Sequence, residues 1–399
     1  MSESTGSDVK AVPVVAAGTP VPPDGLAKPP KDRVRVPFWD NARFLCVLLV
    51  VIGHGIQRQT IDSNIALAVY LLFYAFHMPA FAIISGYFTK SGPPTNRAMK
   101  RVLTDILLPY FIMETIWTVV KWLVEGEADV NPTRPSWTLW FLLALGIFRL
   151  VLPYLALLRW PLLWAIALSV GVGYLDNVDN TFSLSRTIGI LPFFVLGWKL
   201  NEWKLVERWR FAERAVWWVR GAAVATFAVW GGVVWAFIAL WREIDLRYWF
   251  FYDRPYDGLG SDQWFAGLIR LGVIALAVLL SFAFFALVPR SSNPLTAFGQ
   301  STMYVYLLHS FVLYPIRESS VLRGENSDWV SLLSMILAST GIAIVLSSSW
   351  VRRIFRPLIE PRPSFLFLDP DDGSAKPHRT DPTGARRPRR SAGISGSDR

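Results

Sequence analysis

The sequence predicts an all-α fold: a polytopic membrane helix bundle of about ten transmembrane helices with both termini in the cytoplasm. Three observations point there. Apolar residues make up 53% of the chain and charged residues only 18%, with a mean hydropathy of +0.36. The apolar residues gather in runs close to the ~20 residues that cross a bilayer as a helix. Nineteen tryptophans suit two aromatic belts at the lipid–water interfaces.

Each run can be justified in order. The first, Val36–Ile56, is apolar apart from Asp40, Asn41, Arg43 and His54. The second, Ile65–Phe88, contains FHMPAFAIISGYF, with His77 beside Pro79. The third, Met99–Val124, follows a basic stretch with Arg97, Lys100 and Arg101 and carries Glu114. The fourth, Trp137–Leu158, opens on WTLWFLLAL. The fifth, Pro161–Tyr174, and the sixth, Ile188–Leu200, are short, and the sixth suits a tilted or re-entrant helix or one extended into its loop. The seventh, Trp217–Trp241, and the eighth, Gln263–Val288, have full length, and the eighth carries Arg270 near one end. The ninth, Thr302–Ile316, is short and holds Tyr306 and His309, and the tenth is Trp329–Val351.

Orientation follows from the loop cations, because cytoplasmic loops carry the excess of Lys and Arg. Termini inside place Lys90, Arg97, Lys100, Arg101, Arg149, Arg159, Lys199, Lys204, Arg208, Arg210, Arg290, Arg352, Arg353 and Arg356 inside. The outer loops then hold fewer, namely Arg58, Lys121, Arg134, Arg186, Arg242, Arg247, Arg254, Arg317 and Arg323. The acids lean the other way, with Glu127, Asp129, Asp179 and Asp262 among those outside. Residues 1–35 and 359–399 are Pro/Gly-rich and polar, and read as disordered cytoplasmic tails around a membrane domain at 36–358. No cleaved leader is expected, since the first apolar run would itself be the first span. The formal charge of +10 is spread over loops and tails, so it gives no argument for nucleic acid. The single cysteine, Cys46, excludes an intramolecular disulfide framework and reads as an inert thiol within the first span.

Ionisable residues inside an apolar helix are costly, so they are the first candidates for a functional site. Arg43 and His54 are eleven residues apart, which at 100° each comes within about 20° of whole turns, so they share a helix face. They lie roughly 16 Å apart along the axis, and Asp40 joins the same stripe three residues earlier. In the orientation above, Asp40 and Arg43 are near the cytoplasmic face and His54 near the outer one. Gly53 and Gly55 flank the histidine and would leave room for another molecule to approach it. His77, Glu114, Arg270, Tyr306 and His309 are further polar groups at membrane depth. Three of the four histidines thus fall inside spans. They sit on separate helices without a carboxylate or thiolate at ligand spacing, so no metal site is expected.

Several motifs together resemble the acyltransferase family 3 membrane proteins, in particular the fucose 4-O-acetylase-like branch. WDNARFLCVLLVVIGH is similar to that family's opening motif and FHMPAFAIISGYF to its second span. RAMKRVLTDILLPY, WTLWFLLAL, LPFFVLGW and FGQSTMYVYLLH follow in the family's order. The resemblance implies transfer of an acyl group, usually acetyl from acetyl-CoA as co-substrate, to a hydroxyl of a carbohydrate or glycolipid. His54 matches the family's essential histidine, a general base on the acceptor hydroxyl or a transient acyl carrier. Arg43 matches the arginine paired with it, and Asp40 the preceding acid. Arg97, Lys100 and Arg101 resemble the basic motif only loosely, their spacing being Arg-x-x-Lys-Arg, and they are candidates for the acyl-CoA phosphates. His77, Glu114, Arg270, Tyr306 and His309 are candidates to line the active site. The expected setting is the cell membrane, with acyl-CoA, the acceptor and the bilayer as partners and no bound cofactor.

Each candidate also has a structural reading. His77 suits a carbonyl freed by the Pro79 kink, and His309 or Glu114 a contact between helices. Arg270 suits snorkelling to the outer interface. Arg97, Lys100 and Arg101 suit topogenic charge. Buried His, Arg and Glu also fit a transporter or flippase of a sugar, lipid or acylated anion, although no inverted repeat is visible in the sequence.

Overall fold

The computed structural model describes residues 35–93, 95–126, 131–178, 180–213, 216–261, 263–318 and 329–361. Both expected tails lie almost wholly outside the described residues, as do Glu127, Asp129, Asp179, Asp262 and Arg323. Among the described residues the regular structure is helical throughout.

Helix α1 (Pro37–Ile56) begins at a proline, whose missing N–H costs nothing in a first turn, and runs into a 3₁₀ turn at Gln57–Thr60. Ser63 caps α2 (Asn64–Tyr74) by accepting from the Ala66 N–H at 3.2 Å. The chain breaks at Ala75–Phe76 before α3 (His77–Tyr87), because Pro79 cannot donate to the Ala75 carbonyl. Helix α4 (Asn96–Val102) passes through a π-turn at Leu103–Leu107 into α5 (Leu108–Glu125). Pro109, with no N–H for the preceding turn, accounts for that bulge. Gly126, at φ 77°, closes α5 with a left-handed cap that an L side chain would strain.

Helices α6 (Trp140–Leu155), α7 (Pro161–Gly171) and α8 (Leu184–Glu202) follow, then a short α9 (Leu205–Phe211) and α10 (Val216–Ala236). Short helices α11 (Ile238–Glu243) and α12 (Leu246–Trp249) lead through a loop to α13 (Ala266–Leu287). The chain ends with α14 (Pro294–Gly299), α15 (Thr302–Glu318), α16 (Trp329–Leu346) and α17 (Ser349–Ile359).

Among the described residues, seven segments are long and apolar enough to cross a membrane: Pro37–Thr60, Asn64–Tyr87, Asn96–Glu125, Thr181–Glu202, Val216–Ala236, Ala266–Leu287 and Trp329–Leu346. Trp140–Leu155 and Pro161–Tyr174 are shorter apolar helices. The sixth expected span is longer than its apolar run. Its first turns hold Ser185 and Thr187, which are buried polar residues, and Ser185 donates to the Tyr252 carbonyl at 3.3 Å. The seventh stops at Ala236 rather than Trp241, because Phe237 turns the chain into α11. The tenth stops at Leu346, and Ser347–Ser348 separate it from the amphipathic α17.

Helix α1 is the centre of the bundle, packed against α3, α14, α15 and α16, with Cys46 buried in its middle. α3 lies against α8 with helix backbones in contact at Gly86 and Gly197. At the perimeter, α10 exposes Trp217, Trp218, Val224, Val229 and Trp235, an apolar surface suited to lipid. The molecule is a multi-pass membrane helix bundle.

Candidate active site

The last turn of α1 delivers His54 to the head of a cavity of about 220 Å³. Val50, Tyr74, His77, Met78 and Ile190 line it together with Trp137, Thr138, Trp140, Phe250, Phe251 and Tyr306. Gln57, Arg186 and Arg317 supply further polar groups. The glycines beside His54 serve packing, which corrects the expectation that they open a path to the imidazole. A Cβ on Gly53 would meet the Tyr74 ring at 3.1 Å, and one on Gly55 would overlap the Ser339 hydroxyl.

The half-buried His54 ring lies between two others. His309 is tilted against it with centroids 5.5 Å apart, and Trp137 stacks on it at 6.1 Å and 19°. His309 is fully buried and its Nδ1 is 3.0 Å from the Val305 carbonyl. His77 is held the same way, with Nδ1 3.1 Å from the Phe73 carbonyl and its ring edge-on to Tyr74 at 4.4 Å. A carbonyl only accepts, so Nδ1 carries the hydrogen in both rings and Nε2 is left as the acceptor when they are neutral. His309 Nε2 is buried with no hydrogen-bond partner among the described residues. The partner is the Phe73 carbonyl and not that of Ala75, which Pro79 frees, so the expected role for His77 at the kink is not the one observed, and the ring also lines the cavity.

Trp137 is the platform of the site and is built with care. Its φ of 48° is in the left-handed region, which the surroundings must hold in place. The neighbouring Ser136 donates its N–H to Glu114 Oε2 at 2.9 Å and its hydroxyl to Oε1 at 2.6 Å. Lys121 Nζ donates to the same hydroxyl at 3.1 Å. Trp117, fully buried, stacks on Trp137 at 5.7 Å, and the Arg317 guanidinium lies 4.6 Å from its ring centroid. Arg317 also donates to Gln57 Oε1 at 3.2 Å. Glu114 thus fixes Ser136, the residue before Trp137, through two hydrogen bonds. Glu114→Ala is expected to raise the acceptor KM by about tenfold with a smaller change in kcat, given the ~1.5–3 kcal/mol of hydrogen bonds to a charged group. Glu114→Gln should recover most of that loss, and steady-state kinetics on the two variants would check it.

The opposite wall is held by Arg186, which pairs with Asp253 at 2.5 Å and lies 5.2 Å from the Trp140 centroid. Tyr306 donates its hydroxyl to the Thr138 carbonyl, tying α15 to the entry of α6. Arg270 is elsewhere. It is 1% exposed, so it does not snorkel, and its guanidinium lies 4.7 Å from the Tyr252 ring and 5.5 Å from Tyr256. It secures the loop that presents Phe250 and Phe251 and does not line the cavity.

Asp40 and Arg43 form an ion pair at 3.2 Å, and Arg43 lies 4.4 Å from the Phe88 centroid. They occupy the other end of α1 and do not line the His54 cavity. Between them, Asn41 donates to the Pro289 and Ser291 carbonyls at 2.9 and 3.1 Å and accepts from Thr296 at 2.7 Å, which ties α1 to α14. Arg97, Lys100 and Arg101 are exposed on α4, and the fold brings none of them into the cavity. Trp137, Tyr74, Arg186 and Arg317 were not expected there. A signal for the two arginines exists: both were placed on the outer side, where the charge bias disfavours cations, so they need a reason other than topology.

The family model described as "Acyltransferase domain", acyltransferase family 3, matches residues 36–348. The chain belongs to this acyltransferase family. The match takes in every helix that lines the cavity. The acyltransferase is also similar to "Nodulation protein NolL" of Mesorhizobium japonicum, 26% identical over 364 residues, which are 82% of this chain and 91% of that protein. No solved structure matches it.

Proposed function

We propose that this acyltransferase is an O-acyltransferase of the cell membrane, with both termini cytoplasmic. It would move an acetyl group from acetyl-CoA at the cytoplasmic side to a hydroxyl of a carbohydrate or glycolipid. The observation that supports this best is His54, a general-base candidate facing a cavity walled by aromatic rings and cations. An alcohol is far too weak an acid to ionise at neutral pH, so a base within about 3 Å must take its proton as it attacks the thioester. In this reading His54 accepts that proton, the hydroxyl oxygen bonds to the acyl carbon, and the carbon–sulfur bond breaks. The proton then goes from His54 to the departing CoA thiolate. Aromatic walls suit stacking on a sugar ring. The cavity, at about 220 Å³, is smaller than the ~300–1,000 Å³ of sites for drug-sized ligands, which favours one ring or one acyl group at a time. Arg43 lies roughly 16 Å along α1 from His54, about the reach of a pantetheine arm, so the donor's phosphates would rest at the Arg43 end.

The test is transfer of labelled acetyl from acetyl-CoA in proteoliposomes supplied with membrane glycans. Label in a saccharide or glycolipid is the expected outcome. Substrate flux across vesicles without any donor, and no transfer with it, would overturn the reading in favour of transport.

A further inference from the structure

A second cavity, of about 380 Å³, lies between α17 and the start of α15. Its lining is Tyr304, Ser349, Arg352, Arg353, Arg356 and Glu360. Ser349, Arg352, Arg356 and Glu360 recur at helical spacing, so they form one stripe of α17 facing Tyr304. Tyr304, nearly buried, donates its hydroxyl to Glu360 Oε1 at 3.0 Å, and Arg356 Nε is 3.4 Å from Glu360 Oε2. Three arginines and one carboxylate therefore line the cleft, and among the contacts shown only Arg356 meets Glu360. The other side of α17 exposes Trp350, Ile354 and Leu358, as in a helix lying at a membrane interface.

We propose that this cleft binds a phosphate-bearing ligand, either the nucleotide end of the acyl donor or the headgroup of an anionic phospholipid. Topogenic charge alone needs no cavity and is best left fully hydrated. Here Arg352 Nε is buried without a hydrogen-bond partner among the described residues, so part of a guanidinium has been desolvated. An arginine fork offers paired N–H groups that match phosphate oxygens, and two such forks one turn apart can grip one group from two sides. Glu360 sets the Arg356 and Tyr304 positions and at the same time opposes an anion. Gln59, just after α1, donates to Ser331, and a Cβ on Gly55 would overlap Ser339, so α16 runs antiparallel to α1 and leads α17 toward the Asp40 end and away from the His54 end. The proposal does not depend on His54 being a base.

Two binding measurements on the full chain would test it. The first is calorimetric titration of adenosine 3′,5′-bisphosphate into protein held in phosphatidylcholine nanodiscs. The second is native mass spectrometry of phosphatidylglycerol retained in detergent. The variants are the double substitution Arg352→Gln with Arg356→Gln, then Glu360→Gln, and the exposed pair Lys204→Gln with Arg208→Gln at α9 as a charge-matched control. The double variant should weaken one of the two ligands by at least about tenfold, given the strength of charge-assisted bonds to phosphate. The ligand affected names the source. Glu360→Gln should tighten the same ligand, a change of opposite sign that misfolding would not produce. If the double variant, intact by thermal midpoint, matches the Lys204→Gln, Arg208→Gln control for both ligands, the proposal is overturned. It is equally overturned if Glu360→Gln weakens both.

Discussion

His54→Gln is expected to lower acetyl transfer by about 10²–10⁴-fold, the usual contribution of a positioned base, with little change in thermal midpoint. Glutamine keeps much of the imidazole's size and polarity but offers no basic nitrogen. The ring is half-buried and faces the cavity, so its loss should be felt in the reaction more than in packing. His77 and His309 each have Nδ1 against a carbonyl one turn back, at 3.1 and 3.0 Å. A glutamine amide can donate to the same carbonyls, so His77→Gln and His309→Gln should keep more of kcat than His54→Gln. Single-turnover transfer with the three variants separates the roles. Should His54→Gln stay active and His77→Gln lose transfer, the base would be His77, whose Nε2 is already left as an acceptor toward the cavity.

How much of this could be read from the sequence differs by element. The apolar runs placed the spans because a bilayer demands about 20 apolar residues per helix whatever the tertiary fold. The extension of α8 was left open beside a tilted or re-entrant helix for the same reason: Ser185 and Thr187 look like loop, and their burial near the 252–253 segment makes them helix core. The histidines stood out because polar groups at membrane depth are rare. That His54 and His309 meet depends on how α1 and α15 pack, which helical periodicity along one chain segment cannot say. Trp137 was visible as a residue but not as a platform, because its place rests on Glu114 and Ser136, joined from different segments. The i, i+3 spacing put Asp40 and Arg43 on one stripe, and the structure adds an ion pair between them at 3.2 Å. Gly53 and Gly55 were read backwards. Small residues in membrane helices mostly let other helices approach, and that is what they do here.

The same principle gives the largest expected effect on folding, at the contact of α3 with α8. A Cβ on Gly86 would overlap the Phe194 carbonyl group, and one on Gly197 would overlap that of Ile83. Both obstacles are backbone, so no rotamer change relieves them and the helices must move apart. Gly86→Ala and Gly197→Ala should each cost the upper end of the ~1–3 kcal/mol typical of overpacking, and Gly86→Val should prevent accumulation of folded protein. Gly272→Ala, where a Cβ meets nothing within 4 Å, is the control and should be neutral or slightly stabilising, since alanine favours helix. Thermal midpoints in detergent, read by size-exclusion of fluorescent fusions, measure the difference. Equal midpoints for Gly86→Ala and Gly272→Ala would mean that the two helices are not in backbone contact. The contact also bears on the site, because α3 begins with His77 and α8 carries Arg186 and Ile190. Any Gly86→Ala protein that does fold should therefore hold these cavity walls farther apart. Its acceptor KM should rise even where His54 is untouched.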